Sequence, residues 1–149
     1  MNYVECPDVY ERKEGEKSLF LAGGISGCRV WQKDMADLLK EEDLVVINPR
    51  RRHFDINDPQ MEYDQIKWEY EHLGKSDSVS FWFPKETLCP ITLYELGKIV
   101  MSDKPLFVGC DPQYERRRDV EIQLGLSRPE VKIVYSLNEL AKQIVGWEE

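Results

Sequence analysis

Several features that mark whole classes of protein are missing from this sequence. No apolar run approaches the roughly 20 residues that a helix needs to cross a bilayer, so we expect no membrane-spanning segment. Residues 1–17 are polar and lack the apolar core of a secretory signal. We therefore expect a cytoplasmic protein that does not contact a membrane.

Side chains that bind metal ions are scarce as well. The sequence has four cysteines and two histidines, and no two of the cysteines form a C-x-x-C pair. This pattern argues against a zinc site and favours reduced thiols in a reducing compartment. We expect neither a metal nor an organic cofactor.

Positive charge is also in deficit, with 20 lysines and arginines against 28 aspartates and glutamates and a net charge of −8. A protein binds a nucleic-acid polymer largely by replacing counterions along the phosphate backbone, for which an acidic chain is poorly suited. We therefore expect no nucleic-acid polymer as a partner. A small molecule or another protein remains open.

What the sequence does contain is a regular alternation of apolar runs and amphipathic stretches. Short runs rich in β-branched or aromatic residues predict five strands buried on both faces, at 18–22, 44–47, 78–83, 105–109 and 131–135. The stretches between and after them predict five helices, at 30–42, 61–73, 91–101, 116–126 and 137–147. Such alternation is typical of right-handed βαβ units. We predict one α/β domain with a doubly wound five-stranded parallel sheet and helices on both faces.

We assign residues 18–149 to this domain and residues 1–17 to a loosely ordered arm, or to a segment that docks on a neighbouring subunit. The predicted helix over 91–101 is apolar nearly all round, as expected for a helix packed deeply on the sheet. In the helix over 61–73, Ile66, Tyr70 and Leu73 fall on one stripe. Both patterns predict close contact with the sheet.

The first predicted strand ends in a glycine-rich turn that leads into a helix. In open α/β sheets, ligands bind beyond the carboxyl ends of the strands, so we take the residues of this turn as candidate ligand contacts: Gly23, Gly24, Ile25 and Ser26. Glycines let backbone N–H groups approach a ligand closely. The pattern is not the dinucleotide fingerprint G-x-G-x-x-G, and a tight turn that needs small residues explains it equally well.

The second predicted strand ends at Asn48 and is followed by three arginines, Arg50 to Arg52. A charge run is usually a solvated loop. In an acidic protein, however, a basic cluster at the carboxyl end of a strand also suits a phosphate or carboxylate, which the planar arginine fork binds well. The residues leave these two interpretations open.

Two glutamates stand out on neighbouring predicted helices. Glu95 lies in an otherwise apolar helix with no basic residue three or four positions before it, although Lys98 could pair with it at the surface. Glu69 lies on the preceding helix. A buried carboxylate is costly unless it is paired or functional. Two carboxylates flanking one crevice would suit glycosyl chemistry, in which one attacks the anomeric carbon and the other moves protons. The alternative is a plain position on a helix surface.

An ordered set of motifs resembles the nucleoside 2-deoxyribosyltransferase-like family. The motifs are FLAGGISG at 20–27, NPRR at 48–51, QIKWEY at 65–70, SD at 76–77, FWFP at 81–84 and PITLYELG at 90–97. The resemblance runs from about residue 18 to 110 and is sharpest at Tyr94-Glu95-Leu96-Gly97. It implies a flavodoxin-like fold, a Rossmann-type three-layer sandwich, and homo-oligomers in which a neighbouring subunit completes each pocket.

The resemblance also implies roles for particular residues. Glu95 corresponds to the nucleophile, and Glu69, eight positions before Asp77, to the residue that moves protons at the base. We assign substrate contacts to the residues of the motifs and turns named above together with their neighbours: Gly23, Gly24, Ile25, Ser26, Asn48, Arg50, Asp77, Trp82 and Cys89. The chain departs from the family pattern at Cys89, where the transferases carry an aspartate, and at Phe20, where they carry a tyrosine.

The leading functional interpretation is a nucleoside 2-deoxyribosyltransferase with a covalent deoxyribosyl intermediate on Glu95. The runner-up is a 2'-deoxynucleoside 5'-monophosphate N-glycosidase, which would hold a phosphate on the glycine turn. A catalytically inactive nucleotide-binding protein is the third. For a substrate with a bare 5'-hydroxyl, we predict that Arg50 donates to carbonyls at the strand ends and that Arg29 and Arg51 are structural or face solvent.

Overall fold

A computed structural model describes residues 1–147 of the protein. One six-stranded sheet is formed by β1 Asn2–Glu5, β2 Ser18–Gly23, β3 Val45–Asn48, β4 Ser78–Phe83, β5 Leu106–Cys110 and β6 Ile133–Val134. Five helices accompany it: α1 Trp31–Leu38, α2 Pro59–Lys75, α3 Pro90–Ile99, α4 Arg117–Ser127 and α5 Leu137–Val145. The strand order is β1-β3-β2-β4-β5-β6 and every pair is parallel. The predicted α/β class with a parallel sheet and a flavodoxin-like arrangement is confirmed.

Helices cover both faces of the sheet, and each face has its own hydrophobic cluster. One cluster joins Trp68 and Leu73 of α2, and residues of α3 and α4, to one side of the strands. The other joins Trp31 and Met35 of α1 to Leu140 and neighbours of α5 on the opposite side. Because the strands are buried on both faces, their near-continuous apolar sequences are accounted for. In the part of the chain described, no helix is long and apolar enough to cross a membrane.

The predicted count of five strands is wrong, because the sheet has six. The additional strand, β1, comes from the segment 1–17 that was expected to be loosely ordered. It pairs in parallel with β3, with Tyr3 opposite Val46 and Glu5 opposite Asn48. Its sequence, NYVE, lies at the sheet edge and is at most half-buried, so it has no apolar run to reveal it. Main-chain hydrogen bonds to β3, rather than a hydrophobic pattern, specify this strand.

The rest of the N-terminal segment is held against α2. The Trp68 indole donates to the Asp8 carbonyl at 2.8 Å, and the Tyr10 amide donates to His72 Nε2 at 3.0 Å. His72 stacks on Trp68 with ring centroids 3.9 Å apart, and burial lowers the pKa of its imidazole. A neutral ring that accepts at Nε2 carries its proton on Nδ1, which lies 2.8 Å from the Trp68 carbonyl. The segment is therefore part of the packed fold.

The apolar stripes predicted for two helices are only partly buried. On α2, Leu73 is in the core, but Ile66 and Tyr70 are exposed. On α3, Ile91 is exposed and Tyr94 is 68% exposed, so the helix is not buried all round as predicted. These side chains leave an apolar surface on the outer side of the two helices. Periodicity identifies an apolar face, but it does not say what covers that face.

Candidate active site

A cavity of about 350 Å³ opens at the carboxyl edge of the sheet, between the turn after β2 and helices α2 and α3. Of the residues predicted to form the site, its lining includes Gly23, Gly24, Ile25, Ser26, Glu69, Cys89 and Glu95. This is where parallel α/β sheets bind ligands. The volume lies at the small end of the range for small-molecule pockets.

The glycine turn is both sterically required and part of the cavity. A Cβ on Gly24 would lie 2.7 Å from Pro84 Cγ and 3.1 Å from the sulfur of Cys89, so only glycine fits there. The Gly24 carbonyl accepts hydrogen bonds from the Trp31 indole at 2.8 Å and the Gln32 amide at 3.1 Å, which tie the turn to α1. The two interpretations left open by the sequence are therefore compatible. The turn needs small residues, and it also lines the cavity.

The start of α3 brings its glutamate to the cavity. Cys89 precedes the helix in a left-handed conformation with φ of 50°, and Pro90 occupies the first turn. The left-handed conformation costs about 1 kcal/mol in a residue other than glycine. Burial raises the pKa of the Cys89 thiol to about 12, so it stays protonated at neutral pH. Cys89 therefore contributes shape and an apolar sulfur, and it does not replace the charge of an aspartate.

Glu95 reaches the cavity as a buried carboxylate with an unsatisfied oxygen. Its Oε2 has no hydrogen-bond partner among residues 1–147. Burial and, secondarily, the nearby charge of Glu69 raise the pKa of Glu95 to about 8, and Lys98 opposes them weakly. The Lys98 ammonium lies over the rings of Tyr70 and Tyr94, at 5.0 and 5.5 Å, which accounts for its failure to pair with Glu95. An unpartnered buried carboxylate is costly to the fold and available to a ligand.

Glu69 approaches the same cavity from α2. Its Oε1 accepts a hydrogen bond of 2.7 Å from Gln65, one helical turn earlier. Burial raises the pKa of Glu69, and the hydrogen bond from Gln65 opposes that rise. Two carboxylates from neighbouring helices thus share one cavity, and the negative charge of each disfavours ionisation of the other. The sequence predicted that these two glutamates flank one crevice. The chemical role of each glutamate stays a prediction.

Asp77 does not reach the cavity. It lies just before β4, at the amino end of the sheet, whereas the cavity lies at the carboxyl end. Its Oδ2 accepts from the backbone and the hydroxyl of Ser18, at 2.9 and 2.8 Å, and its Oδ1 pairs with Arg12 at 2.5 Å. A carboxylate held in this way at the opposite end of the strands cannot touch a ligand in the cavity. The motif SD at 76–77 identifies Asp77 in the sequence. It does not show that Asp77 and Glu95 lie at opposite ends of the sheet.

Three further predicted contacts also lie outside the cavity lining. Trp82 is buried in the hydrophobic cluster that faces α1 and α5. The Asn48 side chain bonds Tyr3 and the backbone of Arg50, with its Oδ1 accepting from the Arg50 amide at 2.9 Å. Arg50 donates to the carbonyls of Cys28 at 3.0 Å and Arg29 at 2.7 Å. Arg50 thus donates to backbone carbonyls, but these belong to the loop before α1 and not to the strand ends where they were predicted.

Several cavity residues were not singled out as contacts from the sequence. Thr92 is buried three positions before Glu95 and lines the same cavity, so helical spacing could have identified it. Phe54 lies in the loop between β3 and α2, where no periodicity gives a signal. Arg51, by contrast, belongs to the basic cluster that the sequence offered as a phosphate site; it lines the cavity and makes no ion pair within the described chain. Across residues 1–147, no group of three or more His, Cys, Asp or Glu side chains is arranged to hold a metal ion.

Comparison with known families identifies the family of the chain. The family model described as nucleoside 2-deoxyribosyltransferase like matches residues 16–114. That range is more than half of the chain, and it includes the glycine turn, Glu69 and Glu95. No curated protein matches the sequence. The chain belongs to the nucleoside 2-deoxyribosyltransferase-like family.

Proposed function

We propose that this protein cleaves the N-glycosidic bond of a 2'-deoxynucleoside and transfers the deoxyribosyl group to another base. One observation carries the proposal. Glu69 and Glu95, two partly buried glutamates from neighbouring helices, line a single cavity, and one oxygen of Glu95 has no partner within residues 1–147. Family membership supports chemistry at an N-glycosidic bond. A pure binding protein would have little use for two carboxylates that destabilise its fold.

In the first half-reaction, an oxygen of the Glu95 carboxylate attacks C1' of the sugar. The new C–O bond forms as the bond between C1' and the base nitrogen breaks, and the electron pair of that bond leaves with the base. Glu69 delivers a proton to the departing base. Positive charge develops on the sugar, and the nearby carboxylate stabilises it. A 2'-deoxy sugar helps, because no electron-withdrawing oxygen adjoins C1'.

In the second half-reaction, a second base or water attacks C1' from the side that the first base left. The bond to Glu95 breaks and returns its carboxylate, while Glu69, now ionised, accepts the proton of the nucleophile. Attack by a base gives transfer, and attack by water gives hydrolysis. The same two carboxylates serve both reactions. Whether a base or water attacks C1' therefore decides between transfer and hydrolysis.

The two carboxylates share the proton that this cycle needs. Since the pKa of Glu95 is raised to about 8, the pair retains a proton at neutral pH. The raised pKa places this proton on Glu95 in the protein without substrate, so the reactive arrangement, with Glu95 ionised and Glu69 protonated, requires the proton to pass to Glu69 when the substrate binds. Their titrations are coupled, so the apparent pKa values belong to the pair.

The leading proposal and its runner-up differ in the 5' group of the substrate, which is a hydroxyl in a nucleoside and a phosphate in a monophosphate. Arg50 is occupied with backbone carbonyls, and Arg29 forms an ion pair with Asp34, which favours a bare hydroxyl. Arg51 supports the alternative, a 5'-monophosphate N-glycosidase, because it lines the cavity beside the glycine turn. A guanidinium in that position could form charge-assisted hydrogen bonds with a phosphate. We keep the nucleoside as the leading substrate and assign the discriminating role to Arg51.

The test is incubation with a panel of 2'-deoxynucleosides and their 5'-monophosphates, each with and without an acceptor base. Mass spectrometry of the quenched protein should detect a deoxyribosyl adduct on the peptide that contains Glu95. Binding of the panel with no adduct and no turnover would favour the inactive binding protein. A monophosphate preference in kcat/KM of tenfold or more, about 1.4 kcal/mol, that is lost in Arg51→Ala would favour the glycosidase. Arg52→Ala is the matched control, because Arg52 pairs with Glu5 and does not line the cavity.

We also propose that the protein is a homo-oligomer, as the family resemblance implies. The exposed apolar surface on α2 and α3, with Ile66, Tyr70, Ile91 and Tyr94, adjoins the cavity and supports this. Sedimentation at micromolar concentration should give at least a dimer, and Tyr94→Arg should shift it toward the monomer. A monomer for the parent protein would overturn the proposal.

A further inference from the structure

A chain of hydrogen bonds leads from the N-terminal segment to the cavity. The Cys6 sulfur lies 3.2 Å from Gln65 Oε1, and Gln65 Nε2 lies 2.7 Å from Glu69 Oε1. Resting on the function proposed above, we infer that Gln65 is a positioning residue for Glu69 and that the thiol of Cys6 fixes the orientation of its amide. The N-terminal segment thereby takes part in the chemistry of the site without touching the substrate.

The amide of Gln65 has only one satisfied orientation. Its NH₂ group donates two hydrogen bonds, to Glu69 Oε1 at 2.7 Å and to the Pro49 carbonyl at 2.8 Å. Its carbonyl oxygen accepts from Cys6 at 3.2 Å. Turning the amide over would point that oxygen at a carboxylate and a carbonyl, both of which only accept. The donors therefore stay directed at Glu69.

The strand pairing of β1 with β3 places both ends of this arrangement. The Cys6 amide donates to the Asn48 carbonyl at 3.0 Å, one residue before Pro49. One backbone register thus positions the thiol on one side of the Gln65 amide and the Pro49 carbonyl on the other. Cys6 is buried, and burial raises the pKa of its thiol to about 11, so it keeps the proton that it donates.

The hydrogen bond from Gln65 acts on both the place and the protonation of Glu69. It fixes one oxygen of the carboxylate and favours the ionised form, against the effect of burial. Glu69 must give up a proton in the first half-reaction and accept one in the second. A donor that moderates the pKa of Glu69 serves both steps, because a group held fully protonated could not act as the base. Loss of the donor should change kcat more than KM.

The test compares variants that remove or keep each donor. Gln65→Met keeps the length of the side chain and removes the amide. Cys6→Ala and the bulkier Cys6→Val remove the thiol, whereas Cys6→Ser keeps a donor. Tyr10→Phe is the matched control, because it removes a buried hydroxyl of the same segment that has no hydrogen-bond partner among residues 1–147.

Two readouts separate positioning from mere stability. The first is the titration of Glu69 by carbon NMR in a Glu95→Gln background, where the coupled partner no longer ionises. Gln65→Met should raise the pKa of Glu69 by about one pH unit, the effect of losing one hydrogen bond to a charged group. The second is steady-state kinetics, in which Gln65→Met should lower kcat about tenfold with KM nearly unchanged. Cys6→Ala and Cys6→Val should reproduce part of both effects.

Restoration of both readouts by Cys6→Ser, with Tyr10→Phe at parental values, supports the inference. An unchanged titration of Glu69 in Gln65→Met would overturn it. Parental values in both Cys6→Ala and Cys6→Val would overturn the part assigned to Cys6. Absence of glycosyl activity in the parent would count against the proposed function alone, because the titration of Glu69 needs no turnover.

Discussion

The two ends of the parallel sheet treat carboxylates in opposite ways. At the amino end, Asp77 accepts two hydrogen bonds from Ser18 and pairs with Arg12. At the carboxyl end, Glu95 has an oxygen with no partner within the described residues, and Glu69 has a single donor, Gln65. All three side chains are largely buried. The same chemical group is thus satisfied at one end and left available at the other.

This difference separates a structural carboxylate from a reactive one. The hydrogen bonds of Asp77 hold β2 and β4 together where both strands begin, and they leave the carboxylate no free oxygen to offer. The carboxylates at the cavity reduce the stability of the fold when they are ionised. A bound ligand could supply the hydrogen-bond donors that the protein itself does not provide. Hydrogen-bond satisfaction, rather than burial alone, is what distinguishes the two ends.

Removal of the carboxylate of Glu95 should have the largest effect. Glu95→Ala and Glu95→Gln should each lower kcat by at least about 10⁴-fold, roughly 5 kcal/mol of barrier, since the covalent intermediate cannot form. The measurement is turnover of the best substrate from the panel, with circular dichroism to verify folding. Asp77→Asn, at the other end of the sheet, should keep near-parental kcat. Near-parental turnover in Glu95→Ala would show that Glu95 is not the nucleophile.

Removal of the acid at Glu69 should have a smaller kinetic effect. Glu69→Gln should lower kcat by about 10²-fold, the lower range for general acid catalysis, and the loss should be greater for bases that leave poorly. In the parent, kcat/KM should fall above about pH 8, where the pair loses its last proton. In Glu69→Gln, the pKa of Glu95 should fall, because the like charge is gone. A pH profile identical to that of the parent would contradict the proposed pairing.

Truncation at the amino end should cost stability instead of activity. Asp77→Ala removes the partners of the Ser18 amide and hydroxyl, and we expect a loss of about 2–3 kcal/mol in the free energy of unfolding. The melting temperature should fall by about 6 °C, as measured by differential scanning calorimetry. Arg12→Ala is the control and should change stability by less than about 1 kcal/mol, because its side chain is 64% exposed. A large loss of kcat in folded Asp77→Ala would show that Asp77 is not a purely structural carboxylate.

Neutralisation of Glu95 should give the smallest effect, a gain in stability at high pH. The pKa of Glu95 is about 8 in the folded protein and near 4.5 when unfolded, so between these values the folded state holds a proton that the unfolded state has lost. Stability from this group is therefore complete below the unfolded value and is lost as pH rises to about 8. Glu95→Gln does not titrate, so its advantage over the parent should grow from pH 4 to pH 9.

We expect this advantage to reach at least about 1 kcal/mol, or roughly 3 °C in melting temperature. Thermal unfolding of the two proteins across that pH range measures it. Glu62→Gln, an exposed position on α2, is the control and should show no such trend. An advantage that shrinks as pH rises would contradict the raised pKa of Glu95.

The sequence was informative wherever a local pattern carries the signal. Runs such as SVSFWF at 78–83 predicted β4 with its exact bounds, because a strand buried on both faces has to be apolar throughout. Ser136 and Glu139 form the S-x-x-E pattern of a capping box, and the Ser136 hydroxyl accepts from the Glu139 amide at the start of α5. Glu95 stood out because a lone carboxylate in an apolar helix is a local anomaly. Each of these signals lies within a few residues along the chain.

The remaining features depend on neighbours that are distant in sequence. β1 forms because β3 offers an edge, Asp77 lies at the end of the sheet away from the cavity, and Cys6 meets Gln65 through strand pairing. Arg50 and Arg51 are adjacent in sequence, yet one braces carbonyls and the other lines the cavity.

By itself, the sequence determined the alternation of strands and helices and the positions of the two glutamates on neighbouring helices. The tertiary structure alone decided which polar groups are satisfied, because hydrogen-bond partners here come from segments about sixty residues apart. Periodicity records which side of an element is apolar, and it carries no information about which atoms meet across space.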